Sequence, residues 1–149
     1  MITIRPARRD DGAVWRGLRH ALWPEGSLSE HQEEIDRYLA GTFPREPWMT
    51  LLAESVEGVL GFAEVSIRPY ADGCRTGRVG YLEGWFVVPE GRKGGVGRAL
   101  VAGAEEWARS QGCTEFASDA DPANEDSVAA HRALGFVDVG LVRCFRKDL

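Results

Sequence analysis

The stretch that most constrains the fold runs from Tyr81-Leu82-Glu83-Gly84-Trp85-Phe86-Val87-Val88-Pro89 into Arg92-Lys93-Gly94-Gly95-Val96-Gly97-Arg98. It reads as an apolar strand, a glycine-rich turn and the start of an amphipathic helix. The first amides of a helix lack intrahelical acceptors and sit at the positive end of its dipole, so a strand feeding such a turn presents N–H donors to an anion such as phosphate. Two common phosphate-binding patterns do not fit. A P-loop requires Lys and then Ser or Thr after its last glycine, whereas Gly97 leads into Arg98-Ala99. A dinucleotide fingerprint requires G-x-G-x-x-G at the first strand of a βαβ unit, a spacing absent here. A tight turn with no ligand is the plainer alternative.

The flanking sequence supplies strands and helices in an order that leaves no linker or repeat. Ile2 and Ile4 alternate with polar neighbours as a first strand, and Asp10 is placed to cap a helix carrying Val14, Trp15, Leu18 and Leu22 up to Pro24. Ser29 and Gln32 have capping-box spacing for a second helix with Ile35, Tyr38 and Leu39 on one face. Its other face, Glu30, Glu33, Glu34, Asp36 and Arg37, reads as solvated surface or as an acidic wall beside a cation-binding cleft. Trp48–Glu54 and Val59–Ile67 form a hairpin, followed by a polar loop whose aromatic residue is Tyr70. After the helix that starts at Val96 and stops before Gly112, a strand over Thr114–Asp119 and a helix that Asp121-Pro122-Ala123-Asn124 begins and that runs to Leu134 are expected. Val137–Val139 and Leu141–Phe145 complete the pattern as strands broken at Gly140. The expected architecture is α/β (α+β): one domain over residues 1–149, with a mixed central sheet of about seven strands and four helices. A chain of this length buries about 70% of its unfolded surface, enough for a core without staples.

Charge and cysteine usage narrow the partners. A net charge of -5 disfavours nucleic acid and suits a cationic partner if the carboxylates converge. The three cysteines show no C-x-x-C pair, so neither a disulfide framework nor a metal site is indicated. With no basic leader and no run of 18 apolar residues, the expectation is a cytoplasmic protein with no membrane association.

The segment Arg92-Lys93-Gly94-Gly95-Val96-Gly97 behind a Val-Val-Pro strand end resembles the R-x-x-G-x-G pyrophosphate loop of the GNAT superfamily of acetyl-CoA-dependent N-acetyltransferases. Asn124-x-x-Ser127-x-x-x-His131-x-x-x-Gly135-Phe136 is similar to that superfamily's second signature. Within it, Trp15-Arg16-Gly17-Leu18-Arg19, Leu22-Trp23-Pro24, Ser66-Ile67-Arg68, Leu82-Glu83-Gly84 and Ala117-Ser118-Asp119 look like the aminoglycoside 6'-N-acetyltransferases. The resemblance implies acetyl-CoA as cosubstrate, an aminoglycoside antibiotic as acceptor, direct attack in a ternary complex, and a homodimer. It also implies site roles. Trp23, Tyr70, Glu83 and Asp119 would contact the antibiotic, Trp85, Phe86 and Val87 would hold the acetyl group, Lys93, Gly94, Gly95, Val96, Gly97 and Arg98 the pyrophosphate, and Asn124 the pantetheine. Gly26 and Gly140 depart from it, standing where relatives can carry a His and an acidic substrate ligand.

Acetyl transfer to an amine needs a neutral nucleophile, donors for the developing oxyanion and a proton for the leaving thiolate. Glu83 or Asp119 could accept a proton through water, and His131 could donate one to sulfur. Each has a plainer alternative: a strand-edge ion pair for Glu83, a helix cap for Asp119, packing for His131, and core packing for Trp23 and Tyr70. Two other functions stay open, a related acetyltransferase acting on a polyamine or protein amine and an acyl-CoA-binding sensor without turnover.

Overall fold

The computed structural model describes residues 1–44 and 47–149. Among these, five strands form one sheet in the order β1 (Thr3–Pro6), β2 (Trp48–Ser55), β3 (Gly58–Arg68), β4 (Val79–Val87) and β5 (Glu115–Ser118). The first three pairings are antiparallel and β4 pairs with β5 in parallel. The helices are α1 (Gly12–Leu22), α2 (Leu28–Ala40), α3 (Val96–Ser110) and α4 (Glu125–Ala133).

Strand alternation gives the sheet two apolar faces. Leu51, Ala53, Ala63, Val65 and Leu82 meet Val96, Leu100, Val101 and Ala104 of α3 on one face. Leu52 and Phe62 meet Trp15, Leu18 and Ile35 of α1 and α2 on the other. The helix faces follow from spacing: in α3 the buried residues recur at three- and four-residue intervals from Val96 to Ala108.

Helix starts differ in detail from the sequence reading. Asp10 lies in a short turn, and Asp11 precedes α1 without capping it through its side chain. The Asp11 carboxylate is drawn instead to Arg5 at 2.8 Å, which holds it below the ordinary carboxylate range. The cap of α2 is Ser27, whose Oγ accepts the Glu30 N–H at 3.1 Å, so Ser29 lies inside the helix.

The expected sheet of about seven strands is corrected to five. Residues from Val137 to Leu149 form no strand, and Val137, Leu141 and Phe145 are 81%, 80% and 89% exposed. A strand pattern is local, but a strand exists only when another edge accepts its hydrogen bonds, and within one chain these residues find none. Val139 touches the protein at Gly73, where a Cβ would come within 2.6 Å of it.

Candidate active site

At one end of the sheet, β4 passes through the turn Pro89–Gly91 and the segment Arg92–Gly95 into α3. Lys93, Gly94 and Gly95 are exposed. Gly95 has φ +84° with no atom within 4 Å of a Cβ built on it, so its lack of a side chain serves a left-handed turn and leaves open space above the loop. Gly97 serves close packing, because a Cβ there would come within 3.0 Å of the Trp85 ring. The first intrahelical bond of α3 runs from Ala99 N–H to Gly95 O, leaving the amides of Val96, Gly97 and Arg98 for a ligand. Val96 itself points into the core, so its contribution is limited to its amide. Arg98 reaches the Ala133 carbonyl at 3.5 Å, and Arg92 bonds the Val87 carbonyl at 2.8 Å.

The register of β3 against β4 shifts between Glu64 and Val65, which pair with Gly84 and Leu82 and leave Glu83 as the extra residue of a bulge. Glu83 is held there by Arg68, at 2.8 and 2.7 Å, and by the Ser66 hydroxyl at 2.6 Å. The strand-edge ion pair foreseen as the plainer role of Glu83 is therefore present. The Arg68 guanidinium lies 3.6 Å from the centre of the Tyr81 ring, and the Tyr81 hydroxyl donates to Asp119 at 2.5 Å. Burial, reinforced by Asp119, pushes the Tyr81 phenol well above its ordinary range and keeps it a donor. One continuous chain, Glu83, Arg68, Tyr81 and Asp119, thus brings both predicted carboxylates to one face. Asp119 is exposed and caps no helix.

Trp23 lies against the same bulge. A Cβ on Gly84 would fall 2.5 Å from its ring, His31 stacks on it at 6.4 Å, and Arg19 lies 4.9 Å from its centre. Beneath it, the fully buried Glu64 accepts from Arg19 at 2.5 and 2.6 Å and from the Trp15 indole at 2.8 Å. Arg19 also pairs with Glu34, so the acidic face of α2 is partly structural. Burial pushes the Glu64 carboxyl up, and Arg19 opposes that shift. Tyr70 stands apart, 67% exposed and bonded to Asp72 at 3.0 Å.

The last pairing of β4 with β5 is Leu82 with Ser118; beyond it β5 ends while β4 runs on to Val87. The β4 edge past Leu82 is therefore not paired by β5. Its residues alternate: Trp85 and Val87 face α3, whereas Phe86 faces α1 and α2, so the predicted acetyl-holding trio splits across the sheet. Among the described residues, the buried Trp85 Nε1–H has no acceptor, an unmade bond that costs about 1–3 kcal/mol until a ligand supplies one. His131 lies edge-on to Trp85, ring centres 5.5 Å apart, with Nε2 2.8 Å from Ser118 Oγ and Nδ1 2.7 Å from the Ser127 carbonyl. Asn124 caps α4, its Oδ1 accepting the Ser127 N–H at 3.1 Å, which leaves its amide N–H groups for a ligand carbonyl. No cluster of three or more His, Cys, Asp or Glu side chains among the described residues is arranged to hold a metal ion.

An exposed amide cradle at a helix start, an orphaned indole N–H and an unzipped strand edge fit a long nucleotide-bearing thioester. Residues 15–136 match the model of the acetyltransferase (GNAT) family. The chain belongs to the GNAT family. It is 53% identical over 98% of its length to an aminoglycoside N(6')-acetyltransferase type 1 of Klebsiella aerogenes, covering 96% of that protein. A Serratia marcescens protein of the same name is 41% identical, with 94% of each chain covered. Among solved structures, AAC(6')-Iy in complex with the bisubstrate analogue CoA-S-monomethyl-acetylneamine superposes with a TM-score of 0.92 at 35% identity, covering 100% of this chain and 99% of that one. The apo structure of AAC(6')-IG from Acinetobacter haemolyticus gives 0.91 at 39% identity, with 99% of each covered. In this GNAT chain, sequence reasoning missed Arg68, Tyr81 and Ser118 as members of the site and Arg19 with Glu64 beneath it. Glu64 carried a usable signal: a carboxylate inside an apolar strand demands a buried partner.

Proposed function

We propose that the protein transfers the acetyl group of acetyl-CoA to the 6'-amine of aminoglycoside antibiotics, and so confers resistance to them. The observation that carries this reading is the joining of two unlike sites across the unzipped edge of β4. One is an amide cradle at the start of α3; the other is the chain that ends in the exposed Asp119 carboxylate. The likeness to enzymes named for this activity supports it over 98% of the chain.

The residues divide the work as follows. Backbone N–H groups of Gly95 to Arg98, with Lys93 beside them, bind the pyrophosphate, and Asn124 binds the pantetheine arm. The free edge of β4 from Glu83 to Val87 orients the acetyl carbonyl and stabilises its developing charge. Asp119 and Glu83 bind the ammonium groups of the acceptor beside Trp23, with Tyr70 at the rim, and one carboxylate takes the amine proton through water. His131 is on the opposite face of the sheet, with Trp85, where the thiol departs. Attack is direct, with no covalent enzyme intermediate.

We further read residues 1–149 as one cytoplasmic domain that works as a homodimer. None of its described helices is long and apolar enough to cross a membrane. The apolar residues Val137, Leu141 and Phe145, exposed and unpaired, supply a surface for a second copy. Light scattering on the intact protein and on a chain ending at Asp138 tests this: both running as monomers would exclude the dimer.

The deciding experiment measures thiol release from acetyl-CoA with aminoglycosides, polyamines and peptides in turn. Release with aminoglycosides alone is expected. Release with polyamines or peptides instead moves the acceptor elsewhere, and CoA binding with no release under any acceptor identifies a sensor.

A further inference from the structure

We propose that Ser118 is the direct proton donor to the leaving thiolate and that His131 acts through it. This rests on the acetyl-transfer reading and adds a residue to it.

The hydrogen-bond chemistry sets the direction. The Ser127 carbonyl can only accept, so at 2.7 Å His131 Nδ1 carries a proton. In the neutral ring Nε2 is then an acceptor, and at 2.8 Å Ser118 Oγ–H is its donor. Once the ring is an imidazolium, Nε2–H donates to Oγ and the serine proton must turn outward. The alternatives within the chain are poor, the Leu82 and Asp119 carbonyls at 3.5 and 3.4 Å. The ring is otherwise surrounded by Trp85, Phe136 and Ser127.

Position supports the same conclusion. Ser118 is the last residue of β5 and pairs with Leu82, so its hydroxyl stands where the two strands part. Leu82 and Phe116 face α3, and Ser118 shares that side by alternation, whereas Asp119 turns to the Tyr81 side. Amine and thiol are thereby served from opposite faces of one strand end. As the amine nitrogen bonds to the acetyl carbon and the C–S bond breaks, the electron pair leaves on sulfur. Before the relay runs, the resting Nδ1–H ring takes a solvent proton on Nε2 and becomes an imidazolium; Ser118 Oγ–H then protonates the sulfur as His131 Nε2–H reprotonates Oγ, which returns the ring to its neutral Nδ1–H form. One proton passes from His131 to sulfur, and the amine loses its own separately.

The test combines kinetics with a measurement that needs no turnover. Ser118→Ala is expected to lower kcat at least about tenfold with both KM values unchanged, and Ser118→Thr to restore it. His131→Phe and the Ser118→Ala/His131→Phe double variant should fall to the same level, since two members of one relay are not additive. In the ligand-free wild type, nitrogen-15 NMR should find His131 as the Nδ1–H form, with the Nε2 resonance moving in Ser118→Ala. Wild-type kcat in a folded Ser118→Ala protein, additive losses in the double variant, or an Nε2–H tautomer overturns the relay alone. A wild-type enzyme that releases no thiol with any amine overturns the acetyl-transfer reading beneath it.

Discussion

The loop between β4 and α3 offers its ligand backbone N–H groups, whereas the acceptor side beneath α1 and α2 offers side chains that already hold one another. In the loop the sequence requirement is conformational: Gly95 at φ +84° and a Gly97 that clears Trp85. On the acceptor side it is electrostatic. Glu83 is saturated by Arg68 and Ser66, and the layer below depends on a fully buried Glu64 facing Arg19. Asp119 is bonded to one neutral phenol and open to solvent. The two carboxylates that looked equivalent in the sequence are therefore held unequally by their neighbours.

The largest expected effect breaks the acceptor side from beneath. Glu64→Gln leaves Arg19 buried without its main counter-charge and should cost about 3–5 kcal/mol of stability, the range for removing one member of a buried pair. At this size that lowers Tm by on the order of 10 °C in a thermal melt. Pairing it with Arg19→Met should recover most of the loss; a melt unchanged in Glu64→Gln alone would mean the ion pair carries no structural weight.

Next, Gly95→Val places a side chain in the space above the loop. The Kd for CoA, measured by calorimetry, should rise at least about a hundredfold, near 2.7 kcal/mol. Left-handed strain should remove a further 1–2 kcal/mol or so of folding stability. Gly95→Asn, which tolerates that φ, separates the two effects: it should keep the stability and still weaken CoA. Unchanged CoA affinity in folded Gly95→Val would remove the phosphate assignment.

Asp119→Asn should raise the aminoglycoside KM roughly tenfold to a hundredfold, the worth of about 1.5–3 kcal/mol for a bond to a charged group, with the acetyl-CoA KM unmoved. Glu83→Gln should act less on that KM and more on Tm, because it releases Arg68. If the two variants shift KM equally, the inequality drawn between these carboxylates is wrong. A fall in kcat confined to one of them would name it as the proton acceptor.

Tyr81→Phe removes one neutral donor from Asp119, worth about 0.5–1.5 kcal/mol, and should change the acceptor KM by a factor of only about two to ten. The smallest effect is expected from salt. Between 50 and 200 mM ionic strength, roughly, the aminoglycoside KM should rise a few-fold, and that rise should shrink in Asp119→Asn. Salt sensitivity identical in both would place the ammonium groups elsewhere.

Legibility follows the same division. The glycine-rich turn was readable because glycines, a strand end and a helix start lie within one short stretch, and α3 and β5 followed at nearly their true limits. Two helix starts were misassigned because Asp11 and Ser27 compete with nearby residues of the same chemistry, and the choice depends on partners such as Arg5. Glu83 and Asp119 were found as residues but not as unequal ones. The bulge that seats Glu83 depends on how β3 registers against β4, and the phenol on Asp119 comes from 38 positions earlier in the chain. The strands expected after Val137 failed for a related reason: alternation describes a face, and pairing needs a second edge.

The order of elements from β1 to α4, the apolar stripe of α3, the glycine-rich turn and the carboxylate just after β5 were determined by the sequence alone, since each rests on periodicity, turn chemistry or helix-end electrostatics acting over a few residues. Tertiary structure alone decided which groups are already engaged with each other: the charges of Arg19 with Glu64 and Arg68 with Glu83, and the hydroxyls of Tyr81 with Asp119 and Ser118 with His131. These are pairings between strands and helices, made only after register and packing have fixed the backbone. A side chain's charge can be read from its letter, but its freedom to act on a ligand depends on which partners folding brings within hydrogen-bond reach.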